Sequence, residues 1–140
     1  MAREERSAGV VLVRETADGP PLFLLLDYGK YWDYAKGHVE KGEDDLATAR
    51  RELLEETGIR EVSFVGGFRR EMVYFFRSRR GLVRKTVIFF LAKTRVQDVL
   101  LSDEHVDFIW LDGPAALGRL TYAGARQVLQ VAIEHLRLNR

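Results

Sequence analysis

The 140-residue sequence contains no cysteine. Disulfide bonds, zinc sites built on thiolates and cysteine nucleophiles are therefore excluded. The sequence also has no apolar run long enough to span a membrane, and its first residues, MAREERSAGVV, lack the apolar segment of a signal peptide. We therefore expect a cytoplasmic protein that has no membrane partner.

An excess of positive charge is also missing, since 22 basic and 21 acidic residues give a formal net charge of +1. Without a global positive field, nucleic acid is not the expected partner. An RNA-binding alternative rests only on arginines between residues 69 and 84, and such a cluster equally suits a polyphosphate. Apolar residues form 46% of the chain, which is enough for a packed core. The length favours a single domain over residues 1–140, and a monomer is compatible with the sequence.

The order of elements predicts an α+β fold with a mixed β-sheet. A helix is predicted from Asp44 or Asp45, either of which can cap it, to Thr57, with Gly58 as its stop. A second, amphipathic helix covers TYAGARQVLQVAIEHLRL, with Thr121 as its cap. Strands are predicted at SAGVVLVRE, PLFLLLDY, the start of YWDYAKGHVEKGE, EVSFVGGF with a bulge at its two glycines, EMVYFFRS, VRKTVIFFLAKT and VDFIWLD.

The first predicted helix carries an acidic face. Glu52, Glu55 and Glu56 fall within an arc of roughly 100°, because successive helical residues turn by about 100°. Like charges at these spacings repel by roughly a few tenths of a kcal/mol per pair, no lysine shares the arc, and Arg51 is expected off to one side. Such a face is often only solvated. Alternatively, a divalent cation removes the repulsion, and Mg²⁺ and Mn²⁺ both prefer carboxylate oxygen and bridge it to substrate phosphates.

The loop before this helix supplies the other half of such a site. Gly37 and Gly42 allow the backbone to approach a ligand or a metal closely. Lys36 and His38 are donors suited to phosphate oxygens. A loop of this kind can also be a simple connector, so the interpretation depends on the loop and the helix together.

Together, the loop and the helix resemble the Nudix box, G-x5-E-x7-R-E-U-x-E-E-x-G-U, in which U is a bulky apolar residue. The residues that fill this pattern are Gly37, Glu43, Arg51, Glu52, Leu53, Glu55, Glu56, Gly58 and Ile59. The resemblance implies an α/β/α sandwich around a mixed sheet, and a hydrolase that uses Mg²⁺ or Mn²⁺ on a nucleoside diphosphate linked to a further group. It also implies that Glu52, Glu55 and Glu56 bind the metal together with the carbonyl of Gly37, and that Glu43 and Arg51 brace the loop against the helix.

Within the Nudix family, the sequence is similar to the asymmetric diadenosine tetraphosphate hydrolases. The similarity is carried by W-x-x-A-KGHVE-x-GE, GFRREMVY, RKTVIFFLA and LSDEHVDFIWL. Ala35 departs from this pattern, which commonly has proline at that position. Because proline would stiffen the entry to the loop, the alanine affects the fit of the substrate more than the chemistry.

The similarity implies further roles for residues outside the box. Lys36, His38 and Lys85 would contact the phosphate chain. Tyr74 would stack on a base, and Tyr122 would offer a second stacking face. Each of these tyrosines could instead belong to the core. His105 could be an ordinary polar residue of its loop.

Glu104, or its neighbour Asp103, would supply a distal carboxylate as a metal ligand or general base. The catalytic candidates are therefore Glu52, Glu56 and Glu104, and either Glu52 or Glu104 could take the proton from the attacking water. The expected reaction cleaves diadenosine tetraphosphate to ATP and AMP. Alternative substrates are nucleoside triphosphates, diphosphoinositol polyphosphates and RNA 5′ ends. A catalytically silent nucleotide-binding module is the alternative from another class of protein.

Overall fold

The computed structural model describes residues 2–139. Its strands are β1 (Arg3–Arg14), β2 (Leu22–Asp27), β3 (Trp32–Asp33), β4 (Ala35–His38), β5 (Ser63–Phe64), β6 (Arg70–Ser78), β7 (Gly81–Thr94) and β8 (Asp107–Leu111). Its helices are α1 (Asp45–Thr57), α2 (Gly113–Arg119) and α3 (Ala123–Leu138).

The strands form one mixed sheet around a long central pair. β1 and β7 run parallel to each other, in a register that extends from Arg3 opposite Val83 to Arg14 opposite Thr94. The other pairings are antiparallel: β2 and β4 lie beside β1, β5 and β6 lie beside β7, and β3 and β8 lie beside β2. This arrangement confirms the predicted mixed sheet.

The side chains of the central strands alternate between two cores, because successive residues of a strand point to opposite faces. Val11 and Val13 of β1 pack in a core with residues of α2 and α3. Val10 and Leu12 of the same strand pack in a second core, which contains Leu53 of α1. The sheet is therefore covered by helices on both faces, as expected for the predicted sandwich.

Two local predictions were wrong, and one helix was missed. Thr121 does not cap α3; its hydroxyl instead accepts the Trp32 N–H at 2.9 Å, and the N-cap residue Tyr122 makes no side-chain capping bond. Helix α2 was not predicted, although Asp112 caps it by accepting the Ala115 N–H at 3.0 Å. The two glycines at 66–67 form a turn before β6, not a bulge, and only residues 63–64 of the preceding segment are a strand.

Two features of the fold place the acidic helix beside its loop. β4 pairs with the middle of β1, where Ser7 lies opposite His38 and Gly9 lies opposite Lys36. α1 then packs against both β1 and β4. The loop that follows β4 therefore lies next to α1, with Gly37 against the Glu52 side chain. In the described part of the chain, no helix combines the length and apolarity that a membrane span requires.

Candidate active site

Helix α1 begins and ends where the sequence predicts. The Asp44 carboxylate accepts the Ala47 N–H at 2.8 Å and so satisfies a free donor of the first turn. Gly58 adopts a left-handed conformation with φ of 73°, and its N–H bonds to the Leu54 carbonyl at 2.8 Å. Ala49 and Leu53 are buried against the sheet. These contacts set the rotation of the helix and hence the direction of its carboxylates.

The three box carboxylates lie in different environments. The Glu55 side chain is 56% exposed, that of Glu52 is 13% exposed and that of Glu56 is 2% exposed. Arg51 is not off to one side as predicted, because its Nη1 contacts Glu52 at 2.8 Å and Glu55 at 3.2 Å. Arg51 therefore contacts two of the three box carboxylates while it also pairs with Glu43, whereas Glu56 is buried beside His105.

Arg51 also braces the loop against the helix, as the box predicts. Its Nε and Nη2 donate to the Glu43 carboxylate at 2.6 and 3.0 Å, and Nη2 also donates to the His38 carbonyl at 3.0 Å. Glu43 accepts two further hydrogen bonds, from the Glu40 N–H and the Thr48 hydroxyl. The bonds from Arg51 lead the interactions that lower the pKa of Glu43 to about 2. Glu43 is therefore ionised and belongs to the scaffold of the loop.

Glu56 is a buried carboxylate with one unused oxygen. Its Oε1 lies 3.3 Å from the Tyr28 hydroxyl and 3.0 Å from Nε2 of His105. Its Oε2 has no hydrogen-bond partner. Burial, reinforced by the charges of Glu52 and Glu104, raises the pKa of Glu56 to about 9. An unpartnered oxygen of this kind is costly unless a ligand or a cation completes its environment.

The residues around Glu56 suit a divalent cation. Single ligand atoms of Glu56, Glu104 and His105 lie within 4.8 Å of one another. Gly37 lies directly against the Glu52 carboxylate, where a Cβ atom would collide with it. Carboxylate and imidazole groups that lack other partners are suitable metal ligands. The site therefore fits the divalent cation that the box implies.

A cavity of about 620 Å³ lies beside Tyr31, which forms part of its lining. Its lining consists of Tyr31, Asp33, Lys36, Met72, Val73, Tyr74, Tyr122, Gly124, Ala125 and Gln127. The Tyr31 ring stacks on Tyr28 at a centroid distance of 4.9 Å and is tilted against Tyr122 at 5.4 Å. Because Tyr28 touches Glu56, an aromatic series connects this cavity with the buried carboxylate.

The predicted phosphate contacts fall into two groups. Lys36 lines the cavity and pairs with the buried Asp33 at 3.1 Å. Burial alone would lower the pKa of Lys36, but the attraction of Asp33 outweighs it and raises the pKa. His38 and Lys85 lie instead around Glu5, at 3.9 and 3.6 Å from its carboxylate. Neither of them lines the cavity.

Sequence reasoning missed several residues that the structure brings to the site, namely Glu5, Tyr28, Tyr31 and Asp33. It also left His105 as an ordinary polar loop residue, although its side chain is fully buried beside Glu56. The aromatic segment YGKYWDY was the available signal for the two tyrosines. No sequence signal reported the proximity of His105 to Glu56, because the two residues are far apart in the chain.

The sequence matches the NUDIX domain over residues 3–130, and the chain belongs to this family. It is 45% identical over 96 residues to the asymmetrical bis(5′-nucleosyl)-tetraphosphatase of Mus musculus, which covers 64% of this chain and 63% of that protein. It is 39% identical over 115 residues to the protein of the same name from Sus scrofa, which covers 77% of this chain and 76% of that protein. The match thus spans less than two thirds of the mouse protein's length.

The fold is similar to a crystal structure of the C. elegans Ap4A hydrolase in a binary complex. The TM-score is 0.83, the sequence identity is 30%, and the superposition covers 95% of this chain and 98% of that one. The predicted fold class and the resemblance to this group of Nudix proteins are therefore confirmed. The roles of individual site residues stay predictions.

Gly37→Ala should weaken the binding of divalent metal by roughly 10- to 100-fold, the range seen when the support of a metal ligand is lost. The reason is the collision of the new Cβ with the Glu52 carboxylate. Gly66→Ala is the matched control, because a Cβ at that position meets no atom within 4 Å. Calorimetric titration with Mn²⁺ measures both variants. Equal Mn²⁺ affinity in the two proteins would contradict the placement of Glu52.

Glu56→Gln should remove a pH-dependent loss of stability from the metal-free protein. Because the folded-state pKa of about 9 exceeds the ordinary value of 4.5, the folded protein holds a proton that the unfolded chain releases. The stabilisation by neutral Glu56 is complete below the ordinary pKa and is lost as the pH rises towards about 9. In a chelator, the melting temperature of the wild type should therefore fall relative to the variant between about pH 6 and about pH 9.

Added Mn²⁺ should raise the melting temperature of the wild type and affect the Glu56→Gln variant much less, because the cation binds only the folded, ionised site. The substitution is conservative in shape, which suits a side chain buried as deeply as Glu56. This burial corrects the sequence-based view of the acidic arc as an exposed face. A melting-temperature difference that stays constant with pH would contradict the buried ionisation of Glu56.

Proposed function

We propose that the protein is a divalent-metal-dependent hydrolase that cleaves diadenosine tetraphosphate to ATP and AMP. The observation that carries the proposal is the buried Glu56, whose free oxygen lies at one end of an aromatic series that leads to a cavity large enough for a nucleotide base. The names of the mouse, pig and C. elegans relatives support the choice of substrate.

The metal-binding residues in this proposal lie on α1 and around it. Glu52, Glu55 and Glu56 come from the helix, Glu104 comes from the loop before β8, and the Gly37 carbonyl comes from β4. When bound, the cation neutralises charge on the phosphates and acidifies the attacking water. The role of Arg51 is to hold Glu52 and Glu55 in place, and its bonds to Glu43 leave it unsuited to contact phosphate.

The substrate-binding residues hold one base and the start of the phosphate chain. Tyr74 and Tyr122 offer exposed ring faces in the cavity, and Tyr31 forms the wall between them and Tyr28. Lys36, held by Asp33, directs its ammonium group to the phosphates from the same cavity. Lys85 and His38, beside Glu5, contact the phosphate chain farther along.

In the proposed reaction, the oxygen of water bonds to the phosphorus of one adenosine-bound phosphate, and the bridging bond to the next phosphate breaks. AMP keeps the new oxygen and ATP leaves with the bridging oxygen. Glu52 or Glu104 takes the proton of the water; both are close enough to Glu56 to influence its charge. Burial raises the pKa of Glu52 although Arg51 opposes the shift.

A silent nucleotide-binding module is the less favoured alternative. Such a module would be expected to lack one or more carboxylates of the box, and this chain has all of them. Nucleoside triphosphates, diphosphoinositol polyphosphates and RNA 5′ ends are alternative substrates for the same metal site. They differ from diadenosine tetraphosphate in lacking a phosphate chain that carries a nucleoside at each end.

Incubation with diadenosine tetraphosphate and Mg²⁺ or Mn²⁺ should release equal amounts of ATP and AMP. Chromatography of early time points measures both products. ADP as the sole product would rule out the asymmetric cleavage. If the compound stays intact while one of the alternative substrates is hydrolysed, the substrate assignment fails and the hydrolase assignment stands.

Two controls link this reaction to the metal site. Excess chelator should abolish turnover. Glu56→Gln should lower turnover on the order of 10³-fold, which corresponds to about 4 kcal/mol of activation barrier. Full activity under either condition would exclude the metal-dependent mechanism.

Tyr74→Ala should raise KM for diadenosine tetraphosphate by about 5- to 150-fold, because stacking one base on an aromatic ring contributes roughly 1–3 kcal/mol. Turnover at saturation should change much less, since stacking far from the reacting phosphorus is equal in the ground and transition states. Tyr74→Phe should be nearly silent because it keeps the ring. The side chain is 39% exposed and lines the cavity, which argues against a core role.

Phe75→Ala is the matched control for Tyr74→Ala. Phe75 is the next residue of β6, so it points to the opposite face of the sheet, and it is 57% exposed. Its loss should leave KM unchanged. A normal KM with a large drop in melting temperature for Tyr74→Ala would assign Tyr74 to packing and remove it from the site.

A further inference from the structure

His105 has a buried ring nitrogen without a hydrogen-bond partner. Its side chain is 0% exposed, and its Nε2 lies 3.0 Å from Oε1 of Glu56. This contact is not a hydrogen bond, so Nε2 has no hydrogen-bond partner, and neither does the second carboxylate oxygen of Glu56. The two atoms belong to buried side chains in contact with each other, and a bound group that accepts electron pairs from both would satisfy them.

The rest of the ring is held in place. The other ring nitrogen, Nδ1, lies 3.0 Å from the Ser102 hydroxyl oxygen. The ring also meets the face of Tyr28 edge-on, with a centroid distance of 4.4 Å and an interplanar angle of 72°. The loop that carries His105 is tied to β2, because the Val106 N–H donates to the Asp27 carbonyl at 2.8 Å. A histidine that binds a metal typically has this arrangement, with one nitrogen free and the other held by a hydrogen bond.

We propose that His105 contributes Nε2 as a ligand to a divalent-cation site shared with Glu56 and Glu104. The three side chains bring one ligand atom each to within 4.8 Å of one another. Glu104 is the exposed member of this cluster, and Glu56 and His105 are buried. The inference extends the proposed function, since it adds a nitrogen ligand to an otherwise oxygen-based metal site.

The nitrogen ligand has a consequence for metal preference. Mg²⁺ favours sites made of oxygen atoms only, whereas imidazole favours later transition metals. The site should therefore bind Co²⁺ more tightly than Mg²⁺, because the bond from Nε2 of His105 contributes more to Co²⁺ binding than to Mg²⁺ binding. If His105 only positioned Glu56, its loss would weaken the binding of both ions alike.

Pulsed electron paramagnetic resonance of the Mn²⁺-loaded protein tests the ligand directly. The chain has three histidines, so the double variant His38→Gln/His135→Gln keeps His105 as its sole imidazole. Its spectrum should show hyperfine coupling from a directly bound imidazole nitrogen. A spectrum without this coupling would overturn the proposal, and the result does not depend on how well any His105 variant folds.

Calorimetric titration of His105→Gln with Co²⁺ and with Mg²⁺ gives the second test. A lost ligand should cost at least as much as a lost supporting residue, so Co²⁺ affinity should fall by at least about tenfold. Mg²⁺ affinity should fall clearly less. His38→Gln, which changes an exposed histidine beside Glu5, is the control and should bind both ions normally. Equal losses for the two ions, or no loss for Co²⁺, would contradict direct ligation.

Neither measurement uses turnover. A protein that shows the nitrogen coupling but leaves diadenosine tetraphosphate intact would refute the proposed substrate and keep the metal site. A protein that hydrolyses the compound without the coupling would refute the role of His105 alone.

Discussion

The bonds of Arg51 are the constraint on which the rest of the site depends. A helix that carries three carboxylates on one face would repel itself, and the loop before it would have no fixed position. Arg51 reduces the repulsion by pairing with Glu52 and Glu55. It also fixes the loop by bonding to Glu43 and the His38 carbonyl. The helix and the loop are therefore held together as one unit, and Glu56 lies buried outside the bonds of Arg51.

Glu56 connects this unit with the cavity. It is buried between the acidic helix and Tyr28, and Tyr28 stacks on Tyr31, which reaches the cavity wall beside Tyr122. The Tyr28 hydroxyl also donates to the Tyr34 carbonyl at 2.7 Å, which fixes this ring to the start of the active-site loop. Only the rings of Tyr28 and Tyr31 therefore separate the cavity from the carboxylate that the proposed chemistry requires.

Local patterns in the sequence predicted much of this protein. The cap at Asp44, the stop at Gly58 and the apolar positions Ala49 and Leu53 define α1 through interactions within a few residues of one another. The order of strands and helices along the chain predicts the mixed sheet of the α+β fold. The helix period predicts that Glu52, Glu55 and Glu56 share one face of α1. The brace between Glu43 and Arg51 was predicted by the resemblance to the box.

Contacts between distant residues decided the remaining features. The sequence did not indicate that Arg51 reaches into the acidic arc, since the direction of a long side chain depends on the loop that it meets. It did not distinguish a buried Glu56 from an exposed Glu55, because both are adjacent residues of one helix and only the packing of the sheet separates them. The sequence predicted Thr121 as the cap of α3, whereas the Thr121 hydroxyl accepts a hydrogen bond from the Trp32 N–H. By itself the sequence determined which chemical groups the site contains. The tertiary structure decided which of these groups are buried and available to a cation, because it brings the loop of His105 against α1.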